Sequence, residues 1–269
     1  MRDGDPAAST PLAVCVAGAT GWAGGAVAEA VAEAEGLALR CAVSRSAAGG
    51  DLHGAPVFAS VAEALDATDG VHVLVDYTAH DVVKANVLAA VERGVSVVVG
   101  TSGLEAADDE EIDRAARAAG VGVVAAGNFS LTAAIAQAAA LLAARHIPHW
   151  EIVDYASATK PDAPSGTARE LAERLGQVRR PEPGRPVEET AGDARARGAN
   201  VGGGQVHSLR LPSFTVSTEV VFALPDERLS IRHDAGASAA PYVAGTLLAV
   251  RAAPTVTGLQ RGLDTLLLR

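Results

Sequence analysis

Two short segments of the chain carry residue types whose spacing could do chemistry. The first is Gly18-Ala19-Thr20-Gly21-Trp22-Ala23-Gly24, which separates an apolar run from an Ala-rich helical stretch. A strand-to-helix turn that cradles a pyrophosphate needs backbone without Cβ atoms. One glycine makes the turn, one admits the phosphates, and one lets the helix pack on the strand. The placement predicts a dinucleotide site rather than an ordinary glycine-rich turn. Its predicted cofactor contacts are Gly18, Thr20, Gly21, Trp22, Ala23 and Gly24.

The second segment runs from Lys160 to Ala168, with the sequence KPDAPSGTA, and precedes a predicted helix. Its two prolines stiffen the loop, and Ser165 or Thr167 can cap the helix. Free N–H groups at such a helix start would bind a carboxylate, and Lys160 would add a positive charge. Taken alone, the motif is equally compatible with a capped helix beside a solvated lysine.

Two further segments lie where apolar runs end. Ser44-Arg45-Ser46 follows the second run, at the position where an acidic residue would select NAD by binding the ribose 2′-hydroxyl. A cation between hydroxyls favours the 2′-phosphate of NADPH over NADH, the alternative being a solvated loop arginine. Thr101 and Ser102 follow a later run, where small residues would let a nicotinamide approach the backbone, although such turns are common.

These segments need an open parallel sheet to position them. From residue 12 to 125, apolar runs alternate with helical periods, which indicates βαβ units wound into a Rossmann-type doubly wound sheet. From residue 128 the pattern changes to a helix, a strand, a second helix and a loop at 178–204 that is rich in proline, glycine and charge. Three strand-like runs follow, at 206–211, 215–224 and 227–233. Their short connections favour antiparallel pairing, and hence a second α+β domain with a mixed or antiparallel sheet.

Composition and charge exclude several classes of function. Hydrophobic residues make up 49% of the chain and aromatic residues only 3%, as suits an α/β core of Ala, Val and Leu. A net charge of −10 argues against general nucleic-acid binding. We see no signal-peptide core and no apolar stretch that could span a bilayer, so we expect a cytoplasmic protein. Cys15 and Cys41 are expected to be core residues, and no cluster has metal-ligand spacing.

With these motifs the chain resembles the 4-hydroxy-tetrahydrodipicolinate reductases (dihydrodipicolinate reductases) of bacterial lysine biosynthesis, over nearly its whole length. Several motifs besides the two segments above carry the resemblance. They are Asp76-Tyr77-Thr78, Gly100-Thr101-Ser102-Gly103, Asn128-Phe129-Ser130, residues 206–211 and residues 229–234.

The resemblance implies a tetrameric NAD(P)H-dependent reductase whose C-terminal domain binds a cyclic dicarboxylate. Residues 1–127 plus 240–269 would form the dinucleotide-binding domain, and residues 128–239 the substrate and oligomerisation domain. Lys160 would bind substrate and act in catalysis. The other implied substrate ligands are Ser157, Ser165, Gly166 and Thr167. The implied cofactor ligands outside the glycine segment are Ser44, Arg45, Tyr77, Thr78, Gly100, Thr101, Ser102, Asn128 and Phe129.

One departure from the family pattern bears on function. The family places two adjacent histidines just before the lysine, one a proton donor and the other a substrate ligand, where this chain has Ala156 and Ser157. The leading hypothesis is therefore a reductase acting on a C=N or conjugated C=C bond of a cyclic imino acid, with a substrate other than that of the lysine pathway. The genuine lysine-pathway enzyme and a non-catalytic dinucleotide-binding protein are the alternatives. A short-chain dehydrogenase is excluded, since Tyr155 and Lys160 are five residues apart rather than four on a helix.

Overall fold

The computed structural model describes residues 10–267, which divide into two compact units. The first unit takes in the chain up to Ala126 and returns with Tyr242–Leu266, and the second is Gly127–Pro241. The N-terminal and C-terminal parts of the described chain thus contribute to one unit, and the other is an insertion between them.

The strands and helices that the sequence predicts occur along the chain in the predicted order. The strands are β1 (Leu12–Ala17), β2 (Leu37–Val43), β3 (Asp51–Leu52), β4 (Ala55–Phe58), β5 (Val73–Asp76), β6 (Ser96–Val99), β7 (Gly122–Ala125), β8 (His149–Ser157), β9 (Ala199–Val201), β10 (Gly204–Leu211), β11 (Val216–Leu224), β12 (Glu227–Ala235) and β13 (Gly258–Arg261). The helices are α1 (Trp22–Glu33), α2 (Val61–Ala67), α3 (Val83–Glu92), α4 (Ala106–Ala119), α5 (Leu131–Ala144), α6 (Gly166–Val178), α7 (Ala240–Ala252) and α8 (Asp264–Leu267).

An eight-stranded sheet organises the first unit, in the order β13-β7-β6-β5-β1-β2-β4-β3. Every pairing is parallel except that of β3 with β4. Strands β5, β6 and β7 are buried along their whole length, as continuous Val-rich runs in a sheet covered on both faces should be. The order reverses at β1, so the loops after β1 and β5 meet at the carboxyl edge, where open α/β sheets bind ligands.

The Rossmann-type fold class is confirmed, with differences in detail. Strands β3, β4 and β13 and helix α2 were not predicted, because they are too short to show a hydrophobic period. The helix α2 nevertheless has a local cause, since the Ser60 side chain accepts a hydrogen bond from the N–H of Glu63. Strand β13 extends the sheet beyond β7 in parallel register.

The second unit contains a five-stranded sheet in the order β12-β11-β8-β10-β9. Strands β11 and β12 pair antiparallel, as expected, but β10 and β11 are not neighbours. Strand β8 lies between them, parallel to β10 and antiparallel to β11. The prediction of consecutive antiparallel pairing was wrong there, because the earlier strand β8 fills the central position. The loop predicted at 178–204 contains two short 3-10 turns and the edge strand β9.

The two cysteines are buried and unbridged within the first unit. They lie on the neighbouring strands β1 and β2, with Cys15 directly opposite Cys41. A hydrogen bond with Cys41, together with burial, holds the pKa of the Cys15 thiol well above its usual range. Both thiols are therefore core residues, as the sequence predicts.

Candidate active site

The glycine segment after β1 folds as a tight turn into α1, and its glycines are needed for different reasons. Gly18 has a φ of +75°, and a Cβ there would lie 2.1 Å from the carbonyl oxygen of Tyr77. A Cβ on Gly24 would lie 2.2 Å from the carbonyl oxygen of Gly18. These two glycines therefore allow strand and helix to pack. At Gly21 the φ is −79° and a Cβ would meet only the Gly18 oxygen, at 3.1 Å. A Cβ at Gly21 would thus press on one backbone oxygen and on no other part of the protein within 4 Å.

The start of α1 leaves its backbone donors available. Gly21 occupies the N-cap position, and no side chain caps the helix. Trp22 and Ala23 begin the first turn, and the Trp22 ring is 56% exposed with its edge toward Tyr242. Unsatisfied N–H groups and the helix dipole favour an anion at this position. The turn therefore fits a pyrophosphate in the way the sequence predicts.

A cluster of hydroxyl groups adjoins the glycine turn at the end of β2. The Oγ of Ser44 lies 2.7 Å from Oγ1 of Thr20 and 3.2 Å from Oγ of Ser46. Ser44 is buried, and Arg45 is exposed beside it with no ion pair among the described residues. The structure thus brings Thr20, Ser44 and Arg45 together, as a site for the ribose and its 2′-phosphate requires.

A buried carboxylate holds the loops after β5 and β6 in place, on the side of the glycine turn away from the hydroxyl cluster. Asp76, at the end of β5, accepts hydrogen bonds from the N–H and hydroxyl of Thr78 and from the hydroxyl of Thr101, the last at 2.6 Å. Its second oxygen accepts from Nδ2 of Asn86 at 2.8 Å. Asp76 therefore positions the loops after β5 and β6. The sequence singled out the motif but not this role, which depends on a partner 25 residues away.

Tyr77 packs between these loops. Its hydroxyl lies 2.7 Å from Oγ1 of Thr246 on α7, and burial raises the pKa of its phenol. A Cβ on Gly100 would lie 2.2 Å from the Tyr77 ring, so only glycine fits there. Ser102, in contrast, is exposed. Tyr77, Thr78, Gly100 and Thr101 thus form one connected group in the first unit.

In the second unit, a network of buried hydrogen bonds fixes the start of α6. Ser165 is the N-cap, and its Oγ accepts a hydrogen bond from the N–H of Ala168. Asp154 on β8 is fully buried, and it accepts from both the N–H and the hydroxyl of Ser165, at 2.9 and 2.6 Å. Ser208 and Arg210 on β10 donate to the same carboxylate, at 3.0 and 2.9 Å. Predicted as a substrate ligand, the Ser165 side chain is engaged within the protein, whereas Gly166 and Thr167 begin the helix.

Burial works to raise the pKa of Asp154, but the hydrogen bonds from Ser165 and Arg210 outweigh it and lower the pKa. We expect Asp154→Ala to reduce the free energy of unfolding by about 3–5 kcal/mol at pH 7, because it removes the fully buried carboxylate that pairs with Arg210, whose side chain is 17% exposed. A carboxyl with a lowered native pKa stabilises the fold above its unfolded pKa of about 3.9, and this contribution is lost as pH falls through the native pKa. The difference between parent and variant should therefore shrink below about pH 4.

Urea unfolding at several pH values measures this difference. Asp193→Ala is the control, since Asp193 is an exposed carboxylate that also pairs with an arginine, Arg195. It should leave the free energy of unfolding unchanged, because exposed pairs contribute little. Equal stability of Asp154→Ala and the parent at pH 7 would contradict the proposed role.

Lys160 stands at the entrance of the loop that leads to α6. Its Nζ lies 2.8 Å from a carboxylate oxygen of Asp162, and its side chain is 30% exposed. Its backbone N–H donates to the carbonyl of Ser157 at 3.0 Å. Between Ser157 and Ser165, Lys160 is the only cationic residue. The positive charge predicted for this loop is therefore present, but it is shared with Asp162.

The two positions before this loop differ in what they expose. Ala156 is fully buried on β8, so its methyl group is not available to a ligand. Ser157 is half-buried, and its Oγ lies 3.1 Å from Oγ1 of Thr159. A neutral hydroxyl is therefore the one side-chain group that this pair of positions can offer.

Asn128 and Phe129 belong to the second unit. Phe129 is buried, and Oδ1 of Asn128 accepts a hydrogen bond from the N–H of Ser130 at 2.8 Å. The neighbouring Gly127 accepts from the Thr167 hydroxyl at 3.1 Å and donates its N–H to Glu170 at 2.5 Å. The structure therefore places these two predicted cofactor ligands beside the start of α6.

Within residues 10–267, no group of three or more His, Cys, Asp and Glu side chains could hold a metal ion. No helix among the same residues has the length and hydropathy of a membrane span. The groups available for binding and catalysis in the described residues are therefore an anion-binding turn, a hydroxyl cluster and a lysine beside a second helix start.

Comparisons with known proteins place this arrangement in a family. Residues 12–129 match the family described as dihydrodipicolinate reductase, N-terminus, and residues 127–266 match its C-terminus. A 4-hydroxy-tetrahydrodipicolinate reductase from Thermosynechococcus vestitus is 36% identical over 271 residues, covering 96% of this chain and 98% of the relative. The one from Beutenbergia cavernae is 38% identical over 262 residues, covering 95% and 98%.

Solved structures share the fold. The dipicolinate-bound dihydrodipicolinate reductase from Paenisporosarcina sp. TG-14 aligns with a TM-score of 0.78 and 24% identity, covering 95% of this chain and 99% of that one. GenD2 from gentamicin A biosynthesis, in complex with NAD, aligns with a TM-score of 0.65 and 17% identity, covering 99% and 93%.

Proposed function

The chain belongs to the dihydrodipicolinate reductase family and is an NAD(P)H-dependent oxidoreductase, and from this premise we propose that it reduces a cyclic imino acid with fewer carboxylates than the lysine-pathway substrate. NAD(P)H supplies a hydride when bound. The carbon of a C=N bond would accept this hydride, and the chain would have to deliver the proton that the nitrogen takes up to give an amine. A conjugated C=C bond would be reduced in the same sense.

The single observation that carries this proposal is the charge around the start of α6. Lys160 is the only cation in the loop and is already paired with Asp162. Arg210, the nearest arginine on β10, is bound to the buried Asp154. One carboxylate on the free N–H groups of Gly166 and Thr167, assisted by Lys160, is compatible with this charge. A second carboxylate would lack a partner.

The source of the proton that the substrate nitrogen takes up is the second constraint on the proposed function. A positioned acid contributes a factor of about 10²–10⁴ in rate. The buried Ala156 has no proton to donate, and Ser157 has only a neutral hydroxyl. Among the residues of this loop, the ammonium of Lys160 is the best available donor, and we assign it both the carboxylate contact and the proton at Nζ.

A turnover assay tests the proposal. NADPH oxidation would be followed with 4-hydroxy-tetrahydrodipicolinate, with Δ1-piperideine-2-carboxylate and with Δ1-pyrroline-2-carboxylate. We expect kcat/KM to be at least about tenfold higher for one of the monocarboxylates than for the dicarboxylate. Ordinary turnover of the dicarboxylate alone would reject this assignment in favour of the lysine-pathway reductase. That second candidate is favoured by the names of the full-length relatives.

The cofactor preference rests on Arg45. It is exposed next to the hydroxyls of Ser44 and Ser46, with no acidic residue at the end of β2. We expect Arg45→Ala to weaken NADPH binding by about 1.5–3 kcal/mol, the strength of a charge-assisted hydrogen bond, and to leave NADH binding almost unchanged. Calorimetric titration of both cofactors measures this, with Arg40→Ala on β2 as the control. Equal losses for NADPH and NADH would disprove the preference.

We also propose a homotetramer. Leu209 and Leu211 on β10 share the face of the second sheet opposite to that of the buried Val206, and they are 37% and 49% exposed. Two neighbouring exposed leucines on one sheet face favour burial against another copy of the chain. Light scattering of the purified protein would measure the mass, and a monomer would reject the proposal.

A further inference from the structure

A groove opens in the second unit between α5, α6 and the strands β11 and β12. It holds about 450 Å³ of space when its open mouth is counted. Apolar side chains, including Leu171, Val220 and Ile231, form much of its lining. Thr167, in the first turn of α6, also lines it. The groove therefore begins beside the helix start where the substrate carboxylate is proposed to bind.

Thr218 also lines this groove, and its buried hydroxyl has no hydrogen-bond partner among the described residues. Its side chain is only 7% exposed, and among the described residues its Oγ1 forms no hydrogen bond. On β11 it shares a face with Val220, which also lines the groove. A buried hydroxyl that lacks a partner is destabilising, and valine has the same shape without that penalty. The threonine at this position therefore calls for a ligand that completes its hydrogen bond.

The other polar groups that line the groove have partners inside the protein. Glu170 accepts from the N–H of Gly127 and from Nε2 of Gln137. Nε2 of His233 lies within 3.3 Å of the hydroxyls of Ser130 and Thr132. Among the described residues that line the groove, Thr218 is therefore the one whose buried side chain has an unused hydrogen-bonding group.

The charge of the groove excludes an anionic occupant. Glu170 contributes a carboxylate, and its neighbour Arg174 lies 3.8 Å from it, one helical turn along α6. Burial lowers the pKa of His233 and so favours the neutral form of its ring. No Lys or Arg side chain belongs to the groove lining as the structure describes it. Glu170 already has its cation in Arg174, so a carboxylate of a ligand would find no cation of its own in the lining.

We propose that this groove binds a neutral, mainly apolar substituent of the substrate, carrying one carbonyl or hydroxyl group that bonds to the hydroxyl of Thr218. The inference rests on the proposed function for its biological meaning, since the substituent would extend from the ring whose carboxylate lies at the start of α6. Thr218 is then a specificity-determining residue.

The binding step is testable without any turnover. Isobutyramide serves as the neutral probe and isobutyrate as its anionic counterpart of the same shape. NMR spectra of Ile, Leu and Val methyl groups should show that isobutyramide shifts the signals of Ile231, Val220 and Leu171, and that isobutyrate does not. Thr218→Val should weaken isobutyramide binding about fivefold, as the loss of one hydrogen bond predicts, while raising the midpoint of thermal unfolding.

A second pair of variants locates the site. Ala136→Leu places a larger side chain in the groove and should abolish the shifts, whereas Ala139→Leu, an exposed position on the same helix, should preserve them. Unshifted methyl signals at high isobutyramide concentration, or shifts that survive Ala136→Leu, would overturn the inference.

The turnover arm separates this inference from the proposed function. We expect Ala136→Leu to lower kcat/KM at least tenfold more for a cyclic imine monocarboxylate with a neutral alkyl amide substituent than for the unsubstituted imine. Isobutyramide binding in the groove without turnover of any imine would reject the proposed function and leave the binding site standing. Turnover that depends on neither the substituent nor Ala136→Leu would remove the specificity role.

Discussion

Lys160→Ala is expected to lower kcat/KM on the true substrate by a factor of about 10²–10⁴, while NADPH affinity stays unchanged. The factor is the usual contribution of a positioned general acid. Lys160 is the only cation in the loop before α6, so its removal takes away both the charge beside the substrate carboxylate and the proposed proton donor. Steady-state kinetics and a calorimetric titration of NADPH measure the two quantities separately.

Two further variants sharpen this test. The chain has one other lysine, Lys84, which pairs with Asp108 and Glu111. Lys84→Ala removes the same group elsewhere and should leave the rate unchanged. Lys160→Arg keeps the charge but replaces the ammonium with a guanidinium that does not release its proton. It should preserve KM and lower kcat. Parental rates in Lys160→Ala would show that this side chain is only a solvated loop residue.

Gly21→Val should abolish NADPH binding while the fold is kept. At Gly21 the φ of −79° suits any residue, and a Cβ would meet one protein atom within 4 Å, the carbonyl oxygen of Gly18 at 3.1 Å, which has to shift by a few tenths of an ångström. A side chain there would point into the space proposed for the pyrophosphate. We expect the dissociation constant to rise at least about 100-fold, equivalent to about 2.7 kcal/mol. Calorimetry measures binding, and thermal unfolding by circular dichroism monitors the fold.

The neighbouring glycines provide the contrast. A Cβ on Gly25 would make an ordinary contact of 3.4 Å with a backbone oxygen, so Gly25→Ala should bind NADPH normally. Gly18→Ala and Gly24→Ala would force Cβ atoms to within about 2.2 Å of backbone oxygens and should destabilise the protein itself. Unchanged NADPH affinity in a folded Gly21→Val variant would exclude the turn as the phosphate site.

Local sequence patterns were sufficient for much of the fold. Buried parallel strands appear as continuous apolar runs, and the glycine turn has its own chemistry, so β1, β5, β6 and the start of α1 could be located without a structure. Strand order in the second unit could not. The position of β8 between β10 and β11 depends on pairings between residues that are more than 50 positions apart. Local hydrophobic periodicity contains no information about such distant pairings.

The same limit applies to the site. Lys160 and Ser165 were recognisable because proline, glycine and a capping hydroxyl stand beside them. Asp154 and Asp76 gave no such signal, since each acts on partners brought close only by the sheet. Thr218 could not have been found at all, because a threonine in a strand has ordinary propensity there. What distinguishes it is an unsatisfied hydroxyl, which only the packing of α5 and α6 against the sheet reveals.

The insertion of residues 127–241 between two parts of the first unit has an evolutionary consequence. The inserted segment has one boundary at each end, after Ala126 and before Tyr242. A recombination event could therefore exchange the whole segment and keep the nucleotide-binding unit. Proteins with this arrangement can diverge in substrate preference by replacement of this one segment, without simultaneous changes in both units. Chimeras that exchange this segment with the Beutenbergia cavernae relative should carry substrate preference with the segment and cofactor preference with the nucleotide-binding unit.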